Sequence, residues 1–360
     1  MPVSRPGSLL LVVFACNNAD PSDTAAAGAT DVGSSSGTGP GTTGAPTSGV
    51  GTSTGVDDVT GSSGGFVTDT TDGLTSSATT TTAEDTTGEP PLVCPQVADA
   101  VIAAELADED LQEVSGLIAS RTQPGVFWLH NDSGDDPRFF AVDAGGQRLA
   151  VYNVGGAEAV DWEDMASGPG PSAGEYLYFG DIGDNAEERD KITIYRVPEP
   201  DAASVRDGGE VEVDAVEVID LVYPDGPHNA ETLLVDPRTG DLVIVAKGDP
   251  TRVFQVPGPV AAGGPYMLEE VVPIDVSSVI ATGGDVSPGG EYIAVRTYTE
   301  ARLWLRHPGT SIAEAFAGEP CVIPLAYEKQ GETLTFAGDG GGYYTVSEGE
   351  DVPVHWYAFE

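Results

Sequence analysis

Gly331-Glu-Thr-Leu-Thr-Phe-Ala-Gly-Asp-Gly-Gly-Gly-Tyr-Tyr-Thr-Val346 is the stretch on which the fold turns. Its two flanks are rich in β-branched and aromatic residues, which suit strands. The Gly/Asp run between them suits a tight turn. The same strand-turn-strand pattern is written five times. The openings are Glu113-Val-Ser-Gly-Leu117, Asp161-Trp-Glu-Asp-Met165, Asn229-Ala-Glu-Thr-Leu233, Thr282-Gly-Gly-Asp-Val286 and Gln330-Gly-Glu-Thr-Leu334. Second strands follow at Val126, Tyr176, Leu242, Tyr292 and Tyr343, and third strands at Phe139, Ile192, Arg252, Arg302 and Val354.

Aligned on Ser115, Glu163, Glu231, Thr282 and Glu332, the repeats are 48, 68, 51 and 50 residues apart. Each interval fits a four-stranded blade and leaves too little chain for crossover helices. The expectation is an all-β propeller of five blades. Six is the alternative, should residues 205–222 of the longer second interval hide a degenerate blade. The last unit shows only three strands, so Val97 to Ala107 is expected to return as its outer strand and close the ring. Ala98 to Leu111 is the one stretch that could also read as an amphipathic helix.

The folded part is expected over residues 93–360. Residues 17–92 are almost entirely Ser, Thr, Gly, Ala, Pro and Asp, a composition that buries nothing and reads as a disordered tether. Residues 1–16 carry Arg5, an apolar run from Leu9 to Ala15 and then Cys16, the layout of an export signal. Val13-Phe-Ala-Cys16 resembles a bacterial lipobox, which implies lipidation of Cys16; the tether resembles those of exported myxobacterial lipoproteins. The expected location is the bacterial outer membrane or cell surface, with membrane contact only through the lipid. Export also permits a disulfide. Cys94 precedes the closing strand and Cys321 lies in the outer part of the fourth blade; a bond between them would staple the ring, and two separate thiols are the other reading.

The formal net charge is −43, from 15 basic and 58 acidic residues. Nucleic acid and anionic lipid headgroups are repelled by such a surface. Cations are favoured, and so is solubility in salty water. The expected partner is a small anionic ligand or a cell-surface protein, and the expected state is a monomer.

In a propeller the first strand starts and the second strand ends at one face. That geometry gathers Ser115, Glu163, Glu231, Thr282 and Glu332 into an inner set, with Glu113, Asp161, Asp164 and Asp285 nearby. A second set follows the second strands: Asn131, Asp132, Asp181, Asp184, Asn185, Lys247, Arg296 and Glu348, with His130 and His228 beside them. Converging carboxylates need protons or a cation between them. An oxygen-only set suits Ca²⁺ best and Mg²⁺ second. Lys247 and Arg296 are read as rim cations for an anionic ligand, or as partners of nearby carboxylates. Asp181-Ile-Gly-Asp-Asn185 lacks EF-hand spacing; it reads as a tight turn, with a local calcium loop as the alternative.

The inner-set residues match in type and order those of the calcium-activated nucleotidases (apyrases), and the Gly-Glu-Thr-Leu string adds to the resemblance. It implies a five-bladed propeller with an axial Ca²⁺. The nucleotide-contacting motifs of that family are not evident. His130-Asn-Asp-Ser-Gly134, Asp161-Trp-Glu-Asp164 and Gly180-Asp-Ile-Gly-Asp-Asn185 resemble a group of exported bacterial proteins of uncharacterised function. Two functions follow as expectations: a ligand-binding or scaffold module with an acidic axial cation site, or a calcium-dependent hydrolase of phosphoesters or similar anions. No Gly-x-Ser-x-Gly elbow and no Walker loop is present.

Overall fold

The computed structural model describes residues 92–360 other than 206–207, 272, 275 and 277–279. Cys16, the expected leader and the expected tether up to residue 91 lie outside the described residues.

The strands form five sheets. From the inside outward, the first blade comprises Val114–Ala119, Val126–Asn131, Arg138–Asp143 and Arg148–Val154. The second comprises Trp162–Pro169, Glu175–Asp181, Ile192–Pro198 and Glu217–Val222. The third is built from Ala230–Val235, Leu242–Ala246, Arg252–Val256 and Glu269–Glu270. The fourth is built from Ala281–Val286, Tyr292–Thr297, Ala301–Leu305 and Cys321–Ile323. The fifth has Gly331–Phe336, Gly342–Ser347, Val352–Ala358 and, on the outside, Val101–Leu106. Each first strand packs against the next, and the fifth against the first, so the ring is closed. The protein is a five-bladed β-propeller. Among the described residues, α-helix is confined to Ile312–Phe316.

Strand side chains alternate between faces, and both faces of a blade meet another blade. The core is therefore divided into five apolar clusters, one at each blade junction. Between the first two blades Trp128, Phe139, Tyr152, Trp162 and Phe179 are buried together. This explains why so many strands are apolar throughout rather than alternating.

Val101–Leu106 pairs antiparallel with Val352–Ala358. The stretch that could have been a helix is thus a strand, because it completes the fifth blade by pairing along its outer edge. A disulfide joins Cys94, just before this strand, to Cys321 in the fourth blade. The long second interval holds no sixth blade. Instead Glu210–Val213 adds in parallel to the outer edge of the first blade. Gly263–Met267 does the same to the second.

Candidate metal centre

Every first strand carries a β-bulge at the same place. Its pairing slips by one residue between Val114 and Gly116, Trp162 and Asp164, Ala230 and Thr232, Ala281 and Gly283, and Gly331 and Thr333. The extra residues are Ser115, Glu163, Glu231, Thr282 and Glu332, the inner set expected from sequence. A bulge leaves its extra residue out of the ladder and re-aims its side chain. The repeat of hydroxyl or carboxylate residues therefore marks a repeated distortion of the backbone.

A second ring follows from backbone hydrogen bonds. The amide of Asp132 donates to Glu113 O (2.7 Å), Gly183 to Asp161 O (3.1 Å), Lys247 to Asn229 O (2.9 Å) and Glu348 to Gln330 O (2.9 Å). Each acceptor lies two residues before a bulge residue. In the fourth blade Ala281 pairs with Thr297, which gives the equivalent place to Tyr298.

The two rings meet at Glu163 and Asp132, with Asp161 beside them. Each brings a carboxylate oxygen to within 4.8 Å of the other two. Space for this comes from Gly183, which stands where the other blades carry a side chain. A Cβ at Gly183 would lie 2.3 Å from Glu163 Oε1 and 2.4 Å from Asp161 Oδ2. Burial, and then the charges of Asp132 and Asp161, push the Glu163 carboxyl up to about 10. Burial raises Asp132 to about 6, with Asp161, Glu348 and Glu113 adding to the effect. Burial also raises Asp161, against a hydrogen bond from Ser133 and the charge of Arg189. Such a trio holds either protons or a cation, because three adjacent anions in a desolvated site repel. The donors are all hard oxygen atoms, so this group could hold a metal ion.

The remaining inner residues have other partners. Ser115 Oγ donates to the backbone carbonyl of Glu163, and Thr282 Oγ1 to that of Gly331 at 3.0 Å, so both hydroxyls tie neighbouring blades together. Glu231 is ion-paired with Lys247. Glu332 accepts a hydrogen bond from Tyr298 Oη at 3.2 Å, and burial followed by the charge of Glu348 pushes it up to about 9. Glu348 is itself raised by burial.

The second set divides likewise. Asp132, Lys247 and Glu348 stand on the outer ring. Asp181 accepts from the Asp161 amide at 3.0 Å and pairs with Arg189 at 2.8 Å, so it braces the centre from behind. Asp184 accepts from the amides of Glu188 (3.0 Å) and Arg189 (2.8 Å), which closes the loop that presents Arg189. Asn185 Oδ1 accepts from Asn229 Nδ2 at 3.1 Å. Asn131 Nδ2 donates to Asp110 O (2.6 Å) and Asp135 Oδ2 (2.8 Å). His228 pairs with Asp225 at 2.9 Å. His130 is buried against Trp162, and burial lowers its ring to about 4, so it is neutral and structural.

Arg296 is a correction. The rim-cation reading fails and the carboxylate-partner reading fits in kind, with Glu328 as the partner: the Arg296 side chain is enclosed and its Nη1 donates to Glu328 Oε2 at 2.7 Å and to Thr333 O at 2.9 Å. The register shows why: Arg296 pairs with Gly283, inside the bulge, and Tyr298 two residues later reaches the ring. Tyr298, Gly183 and Arg189 were not singled out from sequence. Counting from the bulge would have found Tyr298; a glycine and a loop arginine give no such signal.

No protein-family model matches the chain, and no curated protein matches it. The nucleotidase and lipoprotein resemblances thus gain no support there, and the five-bladed fold rests on the structure.

Proposed function

We propose that this protein is an exported, surface-tethered β-propeller that binds a divalent cation at Asp132, Asp161 and Glu163 and acts as a ligand-binding or scaffold module. The observation that carries this reading is the meeting of three carboxylates from two blades within 4.8 Å, in a space kept open by Gly183. Ca²⁺ is the proposed ion. It accepts irregular oxygen sets that carboxylates on loops and bulges provide, whereas Mg²⁺, the second choice, demands near-octahedral geometry. A cation held by three protein carboxylates keeps positions for an outside oxygen ligand. Lys247, ion-paired with Glu231, lies close enough for its charge to act on Glu163 and would attract an anionic group there. Lipidation of Cys16 and anchoring to the bacterial outer membrane or cell surface belong to the same proposal. The Cys94–Cys321 disulfide supports export, since such bonds persist outside the cytosol.

Melting in EDTA, then in excess Ca²⁺ or Mg²⁺, tests the proposal. Ca²⁺ should raise the melting temperature more than Mg²⁺, and neither should raise that of Asp161→Asn. A melt indifferent to metal overturns it. The second reading, a calcium-dependent phosphoester hydrolase, draws on the nearness of Lys247 to the trio. It requires Ca²⁺-dependent turnover across a phosphoester panel that disappears in Lys247→Ala.

A further inference from the structure

At the other end of the ring, where first strands finish, the first and fifth blades border a cleft of about 340 Å³. Phe127 of the first blade and Tyr344 and Trp356 of the fifth line it. Phe127 and Tyr344 meet edge to face, 4.9 Å between centroids and 82° between planes. Tyr344 and Trp356 are 4.5 Å apart and tilted by 36°. All three rings are half-buried, so the cleft has an aromatic corner open to solvent. A smaller apolar cavity of about 130 Å³, walled by Leu117, Leu129 and Val354, shares Phe127 and Tyr344 with it.

Some aromatic rings elsewhere in this protein lie under its own arginines: Arg138 is 5.1 Å over Phe140, Arg196 5.6 Å over Tyr178 and Arg252 4.8 Å over Phe254. Among the described residues, no such cation covers Phe127, Tyr344 or Trp356. Arg121 lines the cleft, but its guanidinium is committed to Glu175 (3.3 Å), Asp285 (3.4 Å) and the Val286 carbonyl (2.7 Å). The charge left in the cleft is the carboxylate of Asp339, whose Oδ1 accepts one hydrogen bond, from the Gly341 amide at 2.9 Å. Half-exposed aromatic rings beside a carboxylate are the complement of a cation with a greasy surface. A hydrated metal ion gains little from such walls, because aromatic carbon does not replace its water. An anion is opposed by Asp339 and by the acidity of the whole chain.

We infer that this cleft binds a small organic ammonium ion, its charged head against Tyr344, Trp356 and Asp339. This site is separate from the three-carboxylate centre and does not depend on it.

Calorimetric titration with choline and with its uncharged isostere 3,3-dimethyl-1-butanol tests the inference. Choline should bind saturably, and the isostere about tenfold or more weakly, since it lacks the cation–π and carboxylate attraction. Trp356→Leu keeps an apolar side chain and Asp339→Asn keeps the Gly341 hydrogen bond; each should weaken choline by about tenfold with the fold retained. Asp161→Asn should leave choline binding intact, so this result and the metal result fail independently. Absence of saturation, equal affinity for the isostere, or undiminished binding in Asp339→Asn would overturn the inference.

Discussion

Glu163 and Glu332 hold the same position in two different blades: each is the one extra residue of the bulge that opens its first strand. Both carboxyls are buried among others, and both are raised, to about 10 and about 9. The pH dependence follows from the sign of those shifts. A raised folded-state value stabilises the protonated form. That contribution is complete below the ordinary value of 4.5 and is lost as pH climbs through the folded values. Stripped of metal, the protein should melt at progressively lower temperature between about pH 5 and 10. Ca²⁺ should reverse the loss, and Glu163→Gln should flatten it. Melting curves in EDTA across this range check both outcomes.

Gly183→Ala addresses the space rather than the charge. Its Cβ would intrude on Glu163 Oε1 and Asp161 Oδ2 without removing either ligand. Cation-induced stabilisation should fall by tenfold or more in apparent affinity, roughly the cost of displacing a ligand by a sizeable fraction of an ångström. Differential scanning fluorimetry against Ca²⁺ concentration measures it.

Arg296 and Glu328 form a pair with 0% and 2% of their side chains exposed. Burial alone would raise Glu328, but hydrogen bonds from His355 and Thr345 and the charge of Arg296 outweigh it and hold the carboxyl low. Glu328→Ala strands a buried guanidinium, so urea unfolding should show a loss of about 3–5 kcal/mol. Ca²⁺ affinity should not change, because Arg296 faces the interior and not the rim.

The Cys94–Cys321 bond closes a loop of sequence separation 227 and ties the closing strand to the fourth blade. Its removal in Cys94→Ser/Cys321→Ser should cost about 2–5 kcal/mol in denaturant melts. The cation site lies at the first and second blades, so its affinity should survive.

The blades were legible because Gly/Asp turns and β-branched runs are local signals repeated five times. The inner ring was legible for a related reason: Ser115, Glu163, Glu231, Thr282 and Glu332 recur at blade spacing. Tertiary choices were less legible. Val101–Leu106 is ambiguous alone and becomes a strand only beside Val352–Ala358, at the far end of the chain. Glu210–Val213 joins a preceding blade in parallel, a pairing with no local signature. At the site, charge drew attention to Arg296, while the register that seats Tyr298 on the ring is set by the pairing of Ala281 with Thr297. Asp161 was recognised only as a neighbour of the inner set, because its role depends on Gly183 having no side chain.

Calorimetric titration of Ca²⁺ into chelator-stripped protein, beside Glu163→Gln and Asp161→Asn, tests the central claim most directly. The account predicts one saturable site in the wild type and its loss in both variants, with the fold retained. Binding of equal strength in the variants, or no binding to the wild type, would contradict it.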